Sequence, residues 1–265
     1  MHVSTISSLT DTHTMDETQA PRKTRRGIYL LPNLFTTAAL FAGFYAVLAA
    51  TQGRFEAAAI AILSAQFLDG FDGRIARLTN TQSAFGAEYD SLSDMVAFGV
   101  APALVAYHWA LGELGKVGWL AAFIFTAAAA LRLARFNTQV GTSDKRYFQG
   151  LASPPAAAII AMGIWTAQEF GVEGRDVSWL AAFLTAGAGL LMVSNFRYFS
   201  FKQLNLQGRV PFLLAVAVML SFAVVYIHPP LVLFLMALTY AISGPAWTLL
   251  RLRHNRERRR REPAT

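Results

Sequence analysis

Eight long apolar stretches, over residues 28–50, 55–77, 86–111, 117–132, 155–168, 177–195, 210–227 and 231–252, constrain this chain more than anything else in it. Such stretches read as membrane helices, because inside a bilayer every backbone N–H and C=O has to be paired within its own segment. Some are short for a hydrocarbon core of about 30 Å, so they are expected to tilt or to lie partly inside the bundle. Composition agrees: only 15% of residues are charged, against about a quarter in a soluble domain. The expected fold class is all-α, a polytopic integral membrane bundle of about eight transmembrane helices. There is no cysteine, so neither a disulfide nor a thiolate metal site is available.

Charge placement orients the bundle. Of the 23 Lys and Arg residues, only Arg54, Lys116 and Arg175 fall on one side. The others precede the first stretch, follow the even-numbered ones, or crowd into the C-terminal tail. The positive-inside rule then puts both termini in the cytoplasm. Residues 1–20 are polar, rich in Ser and Thr and without apolar periodicity, and are expected to form a disordered tail with no cleavable signal. Residues 21–252 read as the membrane-embedded domain and 253–265 as a basic cytoplasmic tail. A net charge of +7 raises the question of nucleic acid. The basic residues sit at span ends and in that tail, where they meet anionic membrane lipids, so no nucleic-acid partner is expected.

Four aspartates, Asp69, Asp72, Asp90 and Asp94, lie within 26 residues around the connection between the second and third stretches. Asp69 and Asp72 are three apart and Asp90 and Asp94 four apart, so each pair shares a helix face. Gly86 lies one turn before Asp90 on that stripe, where a missing side chain admits another backbone or a ligand. Two adjacent helices thus aim four carboxylates into one cavity, which opens on the cytoplasmic side. At membrane depth these charges are costly and repel one another, and a pair of divalent cations is the simplest way to keep them ionised. Oxygen-only ligands favour Mg, Mn or Ca. Any one aspartate alone also reads as a helix-end carboxylate paired with Arg74 or Arg77. The rival function class is a transporter or channel with a carboxylate cation path. Clustering at one face, without paired broken helices in related halves, speaks against it.

The pattern D-x2-D-G-x2-A-R-x8-G-x3-D-x3-D is filled by Asp69, Asp72, Gly73, Ala76, Arg77, Gly86, Asp90 and Asp94. It resembles the signature of the CDP-alcohol phosphotransferases at every position. The resemblance implies a membrane enzyme that moves a phosphatidyl group from a CDP-linked lipid to an alcohol, and it implies a homodimer. On this reading Asp69, Asp72, Asp90 and Asp94 hold two divalent ions, Mg2+ or Mn2+, and Asp94 is the general base. The CDP-lipid site comprises Asn33, Asp69, Gly73, Ala76, Arg77 and Gly86. Asn33 enters through the resemblance alone. For Gly73, close helix packing fits as well as the approach of a nucleotide.

Other segments bear on the acceptor. Residues 91–94 with 98–103, residues 132–137, residues 148–151 with Ser153 and Pro154, and residues 192–198 resemble the phosphatidylserine synthase subgroup. Two departures are Ala152, where proline is expected, and Phe199; both concern loop shape rather than the reaction. The resemblance implies CDP-diacylglycerol and L-serine as substrates, in a bacterial-type cytoplasmic membrane with the site facing inward. The same chemistry on glycerol 3-phosphate or inositol is the alternative. The carboxylate of serine calls for an arginine. Arg132, Arg135 and Arg197, with Asn137, are the expected serine and phosphate contacts, although each arginine reads equally as a positive-inside anchor.

Overall fold

A computed structural model describes residues 30–79, 83–139, 147–199 and 212–261. The expected N-terminal tail and the last four residues of the chain lie outside them. The helices are α1 (Leu30–Thr51), α2 (Phe55–Leu78), α3 (Ala84–Asp94), α4 (Ala101–Trp109), α5 (Lys116–Gln139), α6 (Ser153–Glu169), α7 (Ser178–Val193), α8 (Phe212–Ile227) and α9 (Pro229–Arg261). Pro32–Thr51, Lys116–Thr138, Gly174–Val193 and Pro229–Thr248 are long and apolar enough to cross a membrane. The chain is a polytopic helical membrane protein. α6 and α8 have only 17 and 16 residues, while α2 carries Asp69, Asp72, Arg74 and Arg77 in its last turns.

α1 and α2 form an antiparallel hairpin. Pro32 sits in the first turn of α1, where its missing N–H breaks no helical bond. Gly53, with φ 72°, turns the chain after Thr51. Ala46, Ala49 and Ala50 on α1, and Ala58, Ile62 and Ala65 on α2, are buried. Small residues let the helix backbones approach closely, which is how membrane helices gain packing energy without a solvent-driven force. The hairpin returns the end of α2, with Asp69 and Asp72, to the start of α1, with Asn33 and Thr36.

The third apolar stretch departs from a simple helix. α3 and α4 are joined by a π-helical segment, Met95–Val100, in which the N–H of Ala101 reaches back to the carbonyl of Val96. The extra residue in this turn changes which faces align on its two sides. Two glycines make room for it. A Cβ on Gly43 would stand 2.7 Å from the Cα of Ala97, and one on Gly99 would stand 3.1 Å from the Cβ of Ala129. Residues 95–103 are apolar at every position, so their periodicity carries no mark of the change in pitch.

Two strands of three residues, β1 (Tyr147–Gln149) and β2 (Arg197–Phe199), pair antiparallel with Phe148 opposite Tyr198. They are an addition to the expected all-α fold. Tyr198 is buried, donates its hydroxyl to the Ala241 carbonyl at 2.9 Å, and lays its ring where a side chain on Gly244 would be. β2 thereby pins α9 to the end of the bundle where α5 stops and α6 begins. Ala152 precedes α6 with φ −68° and ψ 148°. Those are the angles a proline adopts, so alanine preserves the loop shape at that departure. α9 continues as helix through Arg261, past the boundary expected at residue 252.

Candidate active site and metal centre

One carboxylate oxygen from each of Asp69, Asp72 and Asp90 lies within 4.8 Å of the other two. α2 supplies the first two and α3 the third. The Asp72 and Asp90 carboxyls are within hydrogen-bonding reach of each other. Asp94, one turn further along α3, lies against Asp69 and stands outside the group of three oxygens. The helix-face spacing read from the sequence therefore does bring the four side chains together, three in a close set and one beside it.

Magnitudes show what such a set requires. At an effective dielectric constant of about 20, two unit charges about 5 Å apart repel by about 3 kcal/mol. Three such pairs amount to about 10 kcal/mol, comparable to the entire stability of a folded domain. Cations or protons must offset that repulsion. The donor set is oxygen only, and Asp90 Oδ1 is buried without a hydrogen-bond partner among the described residues. These groups fit a hard divalent cation.

The surroundings hold the carboxylates in place. Asp72 is buried and accepts a hydrogen bond from Thr36 Oγ1 at 2.8 Å. Ser93 Oγ donates to the carbonyl of the same Thr36 at 3.0 Å. Ser83 caps α3 by accepting from the Gly86 N–H at 3.0 Å. Asn33 Oδ1 is 3.6 Å from the point a Cβ on Gly86 would occupy. Asn33 therefore lies beside the N-terminal turn of α3. No described atom comes within 4 Å of a Cβ built on Gly73. Among the described residues close packing is therefore not what keeps Gly73 small, and they leave that face of α2 open. The side chains of Ala76, Arg77 and Arg197 lie outside the described residues.

The arginines of α5 differ from each other. Arg132 is partly buried and donates to Ser153 Oγ at 2.7 Å. It stands in the field of Asp94 and Asp69, yet it closes no ion pair among the described residues. Arg135 donates instead to the carbonyl of Val193 at 3.3 Å, at the C-terminus of α7. Asn137 donates to Ser91 Oγ at 3.0 Å and braces α5 against α3. Sequence reasoning passed over Thr36 and gave Ser93 and Ser153 no role beyond the segments that resemble the subgroup, because each looks like an ordinary hydroxyl residue of a membrane helix. An apolar cavity of about 240 Å³, lined by Trp109, Ile160, Ile164, Phe170 and Phe234 among others, contains no titratable acid or base in its wall. It is separate from this chemistry.

The sequence profile described as CDP-alcohol phosphatidyltransferase matches residues 29–194. The chain belongs to the CDP-alcohol phosphatidyltransferase family. Among its relatives is the CDP-diacylglycerol–serine O-phosphatidyltransferase of Helicobacter pylori, 37% identical over 203 residues, which are 76% of this chain and 84% of the relative. The protein of that name from Mycobacterium leprae is 33% identical over 238 residues, covering 86% of this chain and 78% of the relative. The one from Bacillus subtilis is 32% identical over 173 residues, covering 65% and 92%. In this CDP-alcohol phosphatidyltransferase the matched region takes in all four aspartates and Arg132, while α8 and α9 lie beyond it.

Proposed function

We propose that this CDP-alcohol phosphatidyltransferase transfers the phosphatidyl group of CDP-diacylglycerol to the hydroxyl of L-serine, giving phosphatidylserine and CMP. The observation that carries the reading is the group of three aspartate oxygens within 4.8 Å. Relatives of 32–37% identity that bear the serine enzyme's name supply the acceptor.

The chemistry follows from the groups present. The serine hydroxyl oxygen attacks the phosphorus that carries diacylglycerol, the bond from that phosphorus to the CMP oxygen breaks, and the hydroxyl proton passes to Asp94. An aspartate is too weak a base to ionise a free hydroxyl, so proton transfer accompanies the attack. Two divalent cations, Mg2+ or Mn2+, bound by Asp69, Asp72 and Asp90 with help from Asp94, supply charge neutralisation for the pyrophosphate and the departing CMP. The open face of α2 at Gly73 receives the nucleotide, bordered by Asn33 and Gly86, and the family resemblance adds Ala76 and Arg77 to that subsite. Arg132 and Asp94 lie near enough to interact electrostatically, and no ion pair joins them among the described residues. Serine bridges them, with its carboxylate at Arg132 and its hydroxyl at Asp94. Asn137, hydrogen-bonded to Ser91 on α3, joins that subsite, and Arg135 and Arg197 are assigned to serine and phosphate on the resemblance alone. The same reading has eight spans, both termini and the site on the cytoplasmic side of the inner membrane, and a homodimer.

The test is CMP release by the purified protein in micelles of CDP-diacylglycerol, with serine, inositol or glycerol 3-phosphate, with and without divalent cation. Release is expected only with serine and a divalent ion together. Release driven by glycerol 3-phosphate would reject the acceptor, and undiminished release in EDTA would reject the metal site. A charge-assisted hydrogen bond is worth about 1.5–3 kcal/mol. Arg132→Ala is therefore expected to raise the serine KM by about 10- to 100-fold, with the KM for CDP-diacylglycerol within about twofold. Equal increases in both constants would remove serine from Arg132.

A further inference from the structure

Six polar side chains are buried among the described residues, Thr36, Asp72, Ser93, Ser153, Ser178 and Thr185. The first three touch in series across three helices. The Thr36 hydroxyl has one proton and two acceptors in reach, the Pro32 carbonyl at 3.2 Å and Asp72 Oδ2 at 2.8 Å. The shorter contact is to a carboxylate, and a charged acceptor makes the stronger bond. The proton therefore goes to Asp72. Ser93 Oγ, on α3, donates to the Thr36 carbonyl at 3.0 Å and ties the same residue to the helix that carries Asp90 and Asp94. With Oδ2 held, the Asp72 carboxylate is restrained in its rotation about χ2. The Gly73 backbone holds the same carboxylate from its own helix, and the unpartnered Oδ1 of Asp90 beside it is left for a ligand.

We propose that Thr36 is a positioning residue for the divalent site: its hydroxyl orients Asp72 for the cation, and Ser93 holds Thr36 in register. None of the eight signature positions includes Thr36 or Ser93. A buried carboxylate free to turn about χ2 would meet a cation in several geometries, and most of those would lose the partners it shares with Asp69 and Asp90. Hydrogen bonds from outside the ligand set remove that freedom, and their loss lowers metal affinity by about 10- to 100-fold. The inference rests on the proposed metal-dependent activity, and binding of the metal alone separates the two.

The experiment titrates Mn2+ into the full-length protein in lipid nanodiscs, without substrates, and follows free Mn2+ by electron paramagnetic resonance. Thr36→Val keeps the shape and removes the hydroxyl. It is expected to weaken Mn2+ binding by about 10- to 100-fold, and Thr36→Ser is expected to restore it to within about threefold of wild type. In turnover, Thr36→Val should raise the metal concentration for half-maximal rate by the same factor while kcat at saturating metal changes far less. Unchanged Mn2+ affinity in Thr36→Val, or no recovery in Thr36→Ser, overturns the proposal. If Thr36→Val does not insert and fold, Ser93→Ala decides: weaker Mn2+ binding supports the relay and wild-type affinity rejects it. Absence of Mn2+ binding by the wild type would instead reject the metal site itself.

Discussion

Asp94→Asn is expected to lower kcat by about 10²- to 10⁴-fold while CDP-diacylglycerol affinity stays within a few-fold of wild type. The substitution keeps size and hydrogen-bonding shape and removes the capacity to take a proton at neutral pH. Asp94 is the aspartate that stands outside the close set of three, beside Asp69 and in the field of Arg132. On the proposed reading a base belongs there, beside the close set rather than within it. It is also the last residue before the π-helical segment, so its direction is set by a backbone wedged against α1 and α5 through Gly43 and Gly99. The measurement is single-turnover CMP release, with CDP-diacylglycerol affinity taken separately by equilibrium binding. A wild-type rate would remove the base assignment. A parallel collapse of rate and nucleotide-lipid affinity would make Asp94 principally a metal ligand.

Asp90→Asn should have the second large effect, and its sign reverses with conditions. In activity assays it is expected to cost about 10³-fold or more, because the substitution removes a negatively charged donor from a site that has to hold cations against pyrophosphate. In stability assays without metal, the variant should melt at a higher temperature than wild type. Replacing one carboxylate relieves two of the three close repulsions, each bounded by about 3 kcal/mol. The wild-type protein should gain stability steeply as Mn2+ is added, since a ligand that binds only the folded state stabilises it by mass action. Asp90→Asn should gain little. Melting curves in EDTA and in excess Mn2+ test both halves. A variant less stable than wild type in EDTA would mean that Asp90 serves packing or a hydrogen bond rather than a cation.

The same contrast separates residues whose role is written locally from those whose role is not. Asp69 with Asp72, and Asp90 with Asp94, declare themselves because three- and four-residue spacings put them on one face of a helix wherever that helix ends up. Gly86 belongs to the same stripe. Nothing local distinguishes Thr36 from Thr37, its neighbour, whose hydroxyl reaches the Asn33 carbonyl at 2.7 Å and Tyr89 at 2.9 Å. Which threonine meets Asp72 depends on the rotation of α1 against α2, and that rotation is set by many small contacts between buried alanines. Arg132 and Arg135 look alike in sequence, three apart on one helix. The fold sends Arg132 to Ser153, beside the aspartates, and Arg135 to the carbonyl that ends α7.

From its sequence alone this chain is legible as a helical membrane protein with a carboxylate cluster shared by two neighbouring helices, since hydrophobic length and helical spacing act over short distances and need no partner. The tertiary structure alone decided that three of the four carboxylates form the close set, that α3 passes into α4 through a π turn, and that a two-stranded clasp pins α9 through Tyr198. It also decided that a threonine on the first helix holds an aspartate on the second. Each of these depends on how near two backbones can come, which is set by glycines and alanines far apart in the chain and leaves no periodic trace in the residues themselves.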